Sequence, residues 1–420
     1  MNGWKITWDL VMILSQAFLI VFSAWFACIG LFLFIRKKKA YPAKIAFTRF
    51  AILVAARNEE TVISGLLDSL KAQDYPDELY DVYVAPNNCT DHTEETARAA
   101  GAKIFSCPFP VKSKGEVLHQ AIPELLASDR HYDAVCIFDA DNIVDPQFLA
   151  RMNEAFCAGV RAAQGYRDSK NPYDSWVSGA YSLYFKMNNL FYNQARQQAG
   201  LSALISGTGF AVSREVFEEL GGWNTRTLTE DSEFTAQCVL AGERVAFVED
   251  ARFYDEQPVA FADSMKQRKR WSCGLFQVSD LNRSRSLQAL GRTKKPVFAD
   301  LFFFLLTPYF QMVSVLPVIL PLLAALLNDP NTLARPLFWA RLLLPLLTAY
   351  MGSLLTALAA ALYHRTWDYR IIKGILGYGF FLLSWIPLQF YCLFRRDVAW
   401  DPIRHTKSVC REKLLKNEFS

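Results

Sequence analysis

The apolar run "CIFDADN" (136–142) ends in two carboxylates one residue apart, Asp139 and Asp141. At i and i+2 on a strand end they can face the same side, where like charges raise each other's pKa unless a cation lies near them. Mg2+ and Mn2+ take carboxylate oxygens and commonly complete their shells with substrate phosphates. A metal-held diphosphate would account for the pair; taken alone, it reads more readily as two solvated turn aspartates. "TLTEDSEFT" (227–235) places Glu230 and Asp231 at the start of an expected helix that Thr229 could cap, a position that favours carboxylates in any case. "QRKRW" (267–271) falls on a helix expected to begin near Phe261, and Gln267, Arg270 and Trp271 at i, i+3 and i+4 share one face. Arginine binds phosphate oxygens and tryptophan offers a flat surface to a sugar ring. A merely solvated basic face calls for neither the tryptophan nor the glutamine.

The elements that must position these residues follow from apolar periodicity. "FAILVAA" (50–56), "DVYVAP" (81–86), "AKIF" (102–105) and "YDAVCIFDA" (132–140) read as strands. Between them, 59–73, 93–100 and 116–127 read as helices. This alternation predicts an α/β domain with a mainly parallel, Rossmann-like sheet. Ligands bind such sheets beyond the carboxyl ends of the strands. Each strand ends in polar residues there: Arg57-Asn58-Glu59, Asn87-Asn88, Ser106-Cys107 and Asp139-Ala140-Asp141. Neither GxGxxG nor GxxxxGK occurs, which removes the phosphate cradles of dinucleotide and P-loop proteins. "SGTGF" (206–210) reads as a tight turn at least as readily as a phosphate contact.

Apolar residues make up 52% of the 420 and charged residues 20%. Leu10–Ile35, Leu301–Leu327, Leu342–Tyr363 and Gly374–Phe394 carry no charge, and each is long enough to cross a bilayer. Arg36-Lys37-Lys38-Lys39 directly follows the first, so the positive-inside rule puts Met1 outside and the following domain in the cytoplasm of an integral plasma-membrane protein. The chain thus divides into an N-terminal anchor (1–39), a cytoplasmic domain (40–297), C-terminal transmembrane or interfacial helices (298–394) and a basic tail (395–420). Four full spans would leave that tail outside, against its charge. One segment is therefore expected to lie in the interface, and Leu301–Leu327, broken by Pro308, Pro317 and Pro321, is the first suspect. The net charge of +4 is too diffuse for nucleic acid; lipid head groups suit the basic clusters better. Nine cysteines without CxxC spacing are expected to be reduced, with no disulfide or metal assigned.

In this order, "VAARNEE" (54–60), "NNCTDHT" (87–93), "KSKGEVL" (112–118), "FDADN", "SGTGF", "TED" and "QRKRW" resemble the family 2 glycosyltransferases of GT-A fold. The likeness spans roughly 48–280 and is greatest to the membrane branch with cellulose, chitin, hyaluronan and poly-N-acetylglucosamine synthases. It implies a nucleotide pocket at Ala55, Arg57 and Glu59, with Asp91 on a uracil base, Asn88 nearby and Lys114 at the phosphates. Asn87-Asn88 stands where members often carry an acidic pair. Asp139 would sit at the donor sugar, and Asp141, with Asp139, would hold Mg2+ or Mn2+. Gly207 and Thr208 would shape the acceptor side. Asp231, beside Glu230, would be the general base, and Gln267, Arg270 and Trp271 would clamp diphosphate and acceptor. The implied activity is that of an inverting hexosyltransferase that moves sugar from a UDP-sugar to a growing β-linked glycan, with accessory export subunits possible. A single addition to a lipid-linked acceptor is the alternative. An inactive scaffold or transporter fits less well, since every motif is retained and the spans carry few ionisable residues. "WDPIRH" (400–405), just after the last span, resembles a Trp-centred tail common in the family and reads equally as a tryptophan at the lipid interface.

Overall fold

Alternation along β1 (Phe50–Ala56) divides the sheet's two cores. Phe50, Ile52, Val54 and Ala56 pack on one face against Ile63, Leu66, Leu67 and Leu70 of a helix (Ile63–Lys71). Ala51 and Leu53 pack on the other against Val117, Leu118, Ala121 and Ile122 of the Lys114–Ala127 helix. A side chain such as Phe50, wholly enclosed, stabilises the domain by roughly 1.5–3 kcal/mol. The computed structural model describes residues 2–35, 41, 46–364 and 368–396. The Arg36–Lys39 cluster, "WDPIRH" and the tail beyond Arg396 lie outside them.

β1 pairs in parallel with β2 (Tyr80–Pro86) and with β4 (Ala134–Asp139), and β2 with β3 (Lys103–Ile104). β5 (Ile143–Val144), β6 (Ala162–Ser169), β7 (Phe210–Ser213) and β8 (Ala246–Asp255) complete an eight-stranded sheet of order β3-β2-β1-β4-β7-β6-β8-β5. Its second half is mixed: β7 runs antiparallel to β4 and β6, and β5 to β8, while β6 and β8 are parallel. The reversal matters for the site. Because β7 enters opposite to β4, the Ser206–Gly209 turn before it lies at the carboxyl end of β4, with Gly209 N–H bonded to Ile137 O. β6 and β8 point the same way as β4, so their last residues reach that edge too.

Among the described residues, four helices are long and apolar enough to cross a membrane: Thr7–Ile35, Thr307–Asn328, Pro336–Tyr363 and Tyr369–Phe394. The Leu301–Leu327 run is divided among Pro296–Leu305, Thr307–Val313 and Leu316–Asn328. The first helix is fixed to the domain by Asp300, which accepts from Trp25 Nε1 (3.2 Å) and from the wholly buried Arg196 (2.8 Å). Tyr369–Phe394 differs from the rest: 44% of its most apolar window is buried, against 17%, 11% and 11%. It breaks at Ser384 into Ile372–Leu383 and Trp385–Phe394. Gly374 meets Gly179 of the Trp176–Met187 helix backbone to backbone, and Arg268, fully enclosed, donates to Phe381 O (2.8 Å) and Ser384 Oγ (2.7 Å). The crossing also brings Cys392 to Cys273, Cα to Cα 5.0 Å, and the two are joined. This corrects the expectation of reduced cysteines; a pair 119 residues apart leaves no local spacing signal.

Candidate active site

The sheet edge, the Phe261–Thr293 helix and the apolar helices enclose a cavity of about 1060 Å3. Ala55, Arg57, Glu59, Lys114, Asp139, Asp141, Gly207, Glu230, Asp231, Gln267, Arg270 and Trp271 all line it. Three other nominated residues, Asp91, Asn88 and Thr208, do not line it. Asp91 turns its carboxylate on the loop itself, accepting from Glu60 N–H (3.1 Å), Thr93 N–H (3.1 Å) and Thr93 Oγ1 (2.6 Å). Burial alone would raise its pKa; those bonds outweigh it and hold the carboxyl below its usual range. Asn88, left-handed at φ 51° as Asn58 is at φ 58°, donates to Val111 O (2.8 Å), tying the end of β2 to the loop before Lys114. Thr208, fully buried, props Asp139: its Oγ1 accepts from Asp139 N–H (2.9 Å) and donates to Asn142 Oδ1.

Lys114 opens a helix capped by Ser113, whose oxygen accepts from Glu116 N–H, and its Nζ donates to Gly207 O (2.7 Å) and to Asp139 Oδ1. It therefore joins the β4 carboxylate to the β7 turn. Asp141 accepts from Glu256 N–H (2.9 Å) and from Asn142 Nδ2 (3.2 Å). Among the described residues no cluster of three or more His, Cys, Asp or Glu offers a complete metal cage. Two carboxylates on one wall suit a cation that draws its remaining ligands from phosphate and water. Replacing Thr208 by Val should leave the Asp139 amide only its longer bond to Asn142 Oδ1 (3.3 Å) and remove the hydroxyl that donates to that same oxygen, a loss of ~0.5–1.5 kcal/mol for each hydrogen bond. Steady-state kinetics should register it mainly as a rise in donor KM.

Asp231 lies in the first turn of the Glu230–Ala241 helix, against Gly207, where an added Cβ would stand 3.3 Å from Asp231 Oδ2. Burial first, then the Glu230 charge, pushes its pKa up to about 7, against the opposing pull of Ser232 N–H, Arg270 and Lys114. Thr229 occupies the cap position but makes no capping bond. Its side chain is pressed to the Phe261–Thr293 helix instead, and a Cβ on Gly274 would lie 2.6 Å from Thr229 Cγ2. That glycine lets "QRKRW" approach the 229–231 turn, to which Arg270 is held through Leu228 O (3.1 Å). Gly274→Ala is expected to cost ~1–3 kcal/mol by overpacking and to slow turnover more than it weakens donor binding, as separate kcat and KM measurements would show.

Sequence reading missed a buried charge cluster on the same wall. Arg167, from β6, pairs with Asp255 at the end of β8, donates to Ser206 O (2.8 Å) and stacks 3.9 Å over the Phe185 ring. Burial pushes Asp255 up to about 6 despite Arg167. The signal was present: "YDEQP" (254–258), like "FDADN", puts acidic residues at a strand's end.

The family model for Glycosyltransferase like family 2 matches residues 48–274. The chain belongs to that family, and its catalytic-type domain has the GT-A fold. It is 27% identical over 281 residues to a beta-monoglucosyldiacylglycerol synthase of Synechocystis sp., covering 66% of this chain and 57% of that protein. It is 25% identical over 291 residues to the probable glycosyltransferase YdaM of Bacillus subtilis, covering 64% of each. The matches thus span less than two thirds of these relatives' length. The mannosyltransferase PcManGT of Pyrobaculum calidifontis, solved with GDP-Man and Mn2+, superposes with a TM-score of 0.58 over 86% of this chain and 99% of its own at 20% identity.

Proposed function

We propose that the chain is an inverting, UDP-sugar-dependent hexosyltransferase working at a membrane surface. The observation that carries this reading is Asp231: a carboxyl with its pKa near 7 in the same cavity wall as Asp139, Asp141, Lys114 and Arg270. A general base works best with a pKa near the operating pH. Asp231 takes the proton of the acceptor hydroxyl as its oxygen attacks the anomeric carbon. The bond from that carbon to the diphosphate breaks on the opposite face, so an α-linked donor gives a β-linked product. Arg270, steadied by Leu228 O, offsets the charge that grows on the leaving diphosphate. Asp141 and Asp139 would hold a divalent cation, which supplies further charge compensation there. Ala55, Arg57 and Glu59 bound the nucleotide end, and Gln267 and Trp271 the acceptor end. A panel of UDP- and GDP-sugars with Mn2+ or Mg2+, read as nucleotide release and product mass, tests it; no metal-dependent release from any donor would refute it. Product length separates repeated extension of a glycan from single addition.

The same reading assigns the membrane topology. The half-buried Tyr369–Phe394 pair roofs the cavity through Tyr378, Leu382, Trp385 and Gln389 and lies on the domain's own helices. With it as the interfacial element, in place of Leu301–Leu327, three spans remain and the basic tail returns to the cytoplasmic side with the domain. A cysteine placed in the tail of a protein otherwise free of reactive thiols should resist an impermeant maleimide in intact cells.

A further inference from the structure

The turn that presses on Asp231 has little stiffness of its own. Ser206–Gly209 contains two glycines at positive φ, Gly207 at 85° and Gly209 at 63°, and glycine leaves a backbone free to take other angles. Its shape is imposed from outside. Gln164 accepts from Ser206 N–H (2.9 Å) and donates to Thr208 O (3.0 Å), while Lys114 donates to Gly207 O (2.7 Å). Ser206 O is held by Arg167 Nη1 (2.8 Å). Arg167 is itself fixed on two further sides. Its Nε (2.8 Å) and Nη2 both donate to Asp255 Oδ2, and its guanidinium lies 3.9 Å over the Phe185 ring. Behind Asp255 stands Gln257, which donates to Asp255 Oδ1 and exchanges two bonds with the buried Asn171 (2.8 and 2.9 Å).

We propose that Arg167 is a positioning residue for sugar transfer: anchored by Asp255, it holds the Ser206–Gly207 turn against Asp231 and so keeps the base in place. This rests on the reading of Asp231 as the base and adds the group that steadies it. An ion pair serving stability alone is complete at Asp255. The further bond leaves the guanidinium fork for the carbonyl just before Gly207, the residue whose added Cβ would stand 3.3 Å from Asp231 Oδ2. Such a span uses the planar fork of arginine, which a single ammonium lacks. The Arg167 and Asp255 side chains are only 12% and 4% exposed, yet both residues line the cavity together with Ser206 and Gly207. The same stretch of chain also serves Asp141, which accepts from Glu256 N–H (2.9 Å). The end of β8 thus steadies one candidate metal carboxylate through its backbone, and the base through Asp255 and Arg167.

The test uses the full chain in nanodiscs, with nucleotide release from the sugar donor that wild type turns over and calorimetry of the matching nucleoside diphosphate with Mn2+. Arg167→Met/Asp255→Leu removes one charge of each sign, so no buried charge is left unpaired and the net charge beside Asp139 and Asp141 is unchanged. Its kcat is expected to fall about 100-fold, the loss that a misplacement of about 1 Å brings, while nucleoside diphosphate affinity and the thermal midpoint hold. The acid limb of its kcat/KM profile should lie at lower pH, since a loosened turn admits water to Asp231, whose pKa is raised first by burial. Glu230, Arg270 and Lys114, the charged groups beside Asp231, are untouched. Asp255→Asn keeps an oxygen for the guanidinium and should show a smaller loss of the same kind, in kcat and not in affinity. Wild-type kcat in either variant would overturn the proposal, as would a fall in nucleoside diphosphate affinity that matches the fall in rate. Absence of metal-dependent nucleotide release by wild type with every donor would instead bring down the transferase reading, and this inference with it.

Discussion

Asp231→Asn is expected to lower kcat by about 10²–10⁴-fold, the range that a positioned general base contributes. Donor affinity should hold, because the amide keeps the shape of the carboxylate and Gly207, its close neighbour, needs no rearrangement. The pH profile gives the sharper test. With its pKa near 7, the wild-type carboxyl is protonated below neutrality and cannot accept a proton, so kcat/KM should climb with pH through about 7 and then level. Asp231→Asn should remove that limb. Glu230→Gln should move it to lower pH, since the Glu230 charge is the second cause of the upward shift, after burial. A wild-type-like rate or an unmoved acid limb in Asp231→Asn would take the base assignment away.

Asp141→Asn should be the second severe variant. The amide can still accept from Glu256 N–H and pair with Asn142, so the wall keeps its form while one negative charge is lost. Transfer is expected to fall by about 100-fold or more, corresponding to the several kcal/mol a bound cation contributes to charge stabilisation. The Mn2+ concentration for half-maximal rate should rise in parallel. Asp139→Asn is expected to act differently, because Lys114 already offsets that carboxylate and also holds Gly207 O. Its main effect should be on donor KM. Metal titration at fixed donor, followed by EDTA, distinguishes the two; equal metal dependence in wild type and Asp141→Asn would exclude Asp141 as a ligand.

Much of the site's framework was legible because parallel strands carry their ligands at one edge. β1, β2 and β4 stood out as apolar runs, and the polar residues closing β1 and β4 come to one cavity. The residues of "QRKRW" were legible from helical spacing alone. What escaped notice depended on partners far along the chain. The antiparallel entry of β7, which sets Gly207 against Asp231, has no local signature. Arg167 and Asp255 lie on different strands, and although "YDEQP" marks Asp255 as a strand-end carboxylate, nothing local names Arg167 as its partner. Thr229 fits the pattern of a cap, yet Gly274 offers its side chain a better packing site than the helix amides offer a bond. Asp91 and Asn88 were nominated by motif, and in the structure their side chains fasten the loops that border the cavity. Length and composition could count four apolar helices, but not foresee that the last would lie half-buried on the domain.

Arg268 has a further mechanical meaning. Its guanidinium ends at Phe381 O and Ser384 Oγ, where the roofing segment changes direction, while its backbone sits between Gln267 and Arg270 on the opposite helix. Sliding the roof along that helix would take two acceptors from an enclosed guanidinium, a loss of ~1.5–3 kcal/mol for each hydrogen bond to a charged group. Ceiling and wall are therefore geared together: whatever tilts or lifts the roof must carry Gln267, Arg270 and Trp271 with it, so two sides of the cavity move as one piece.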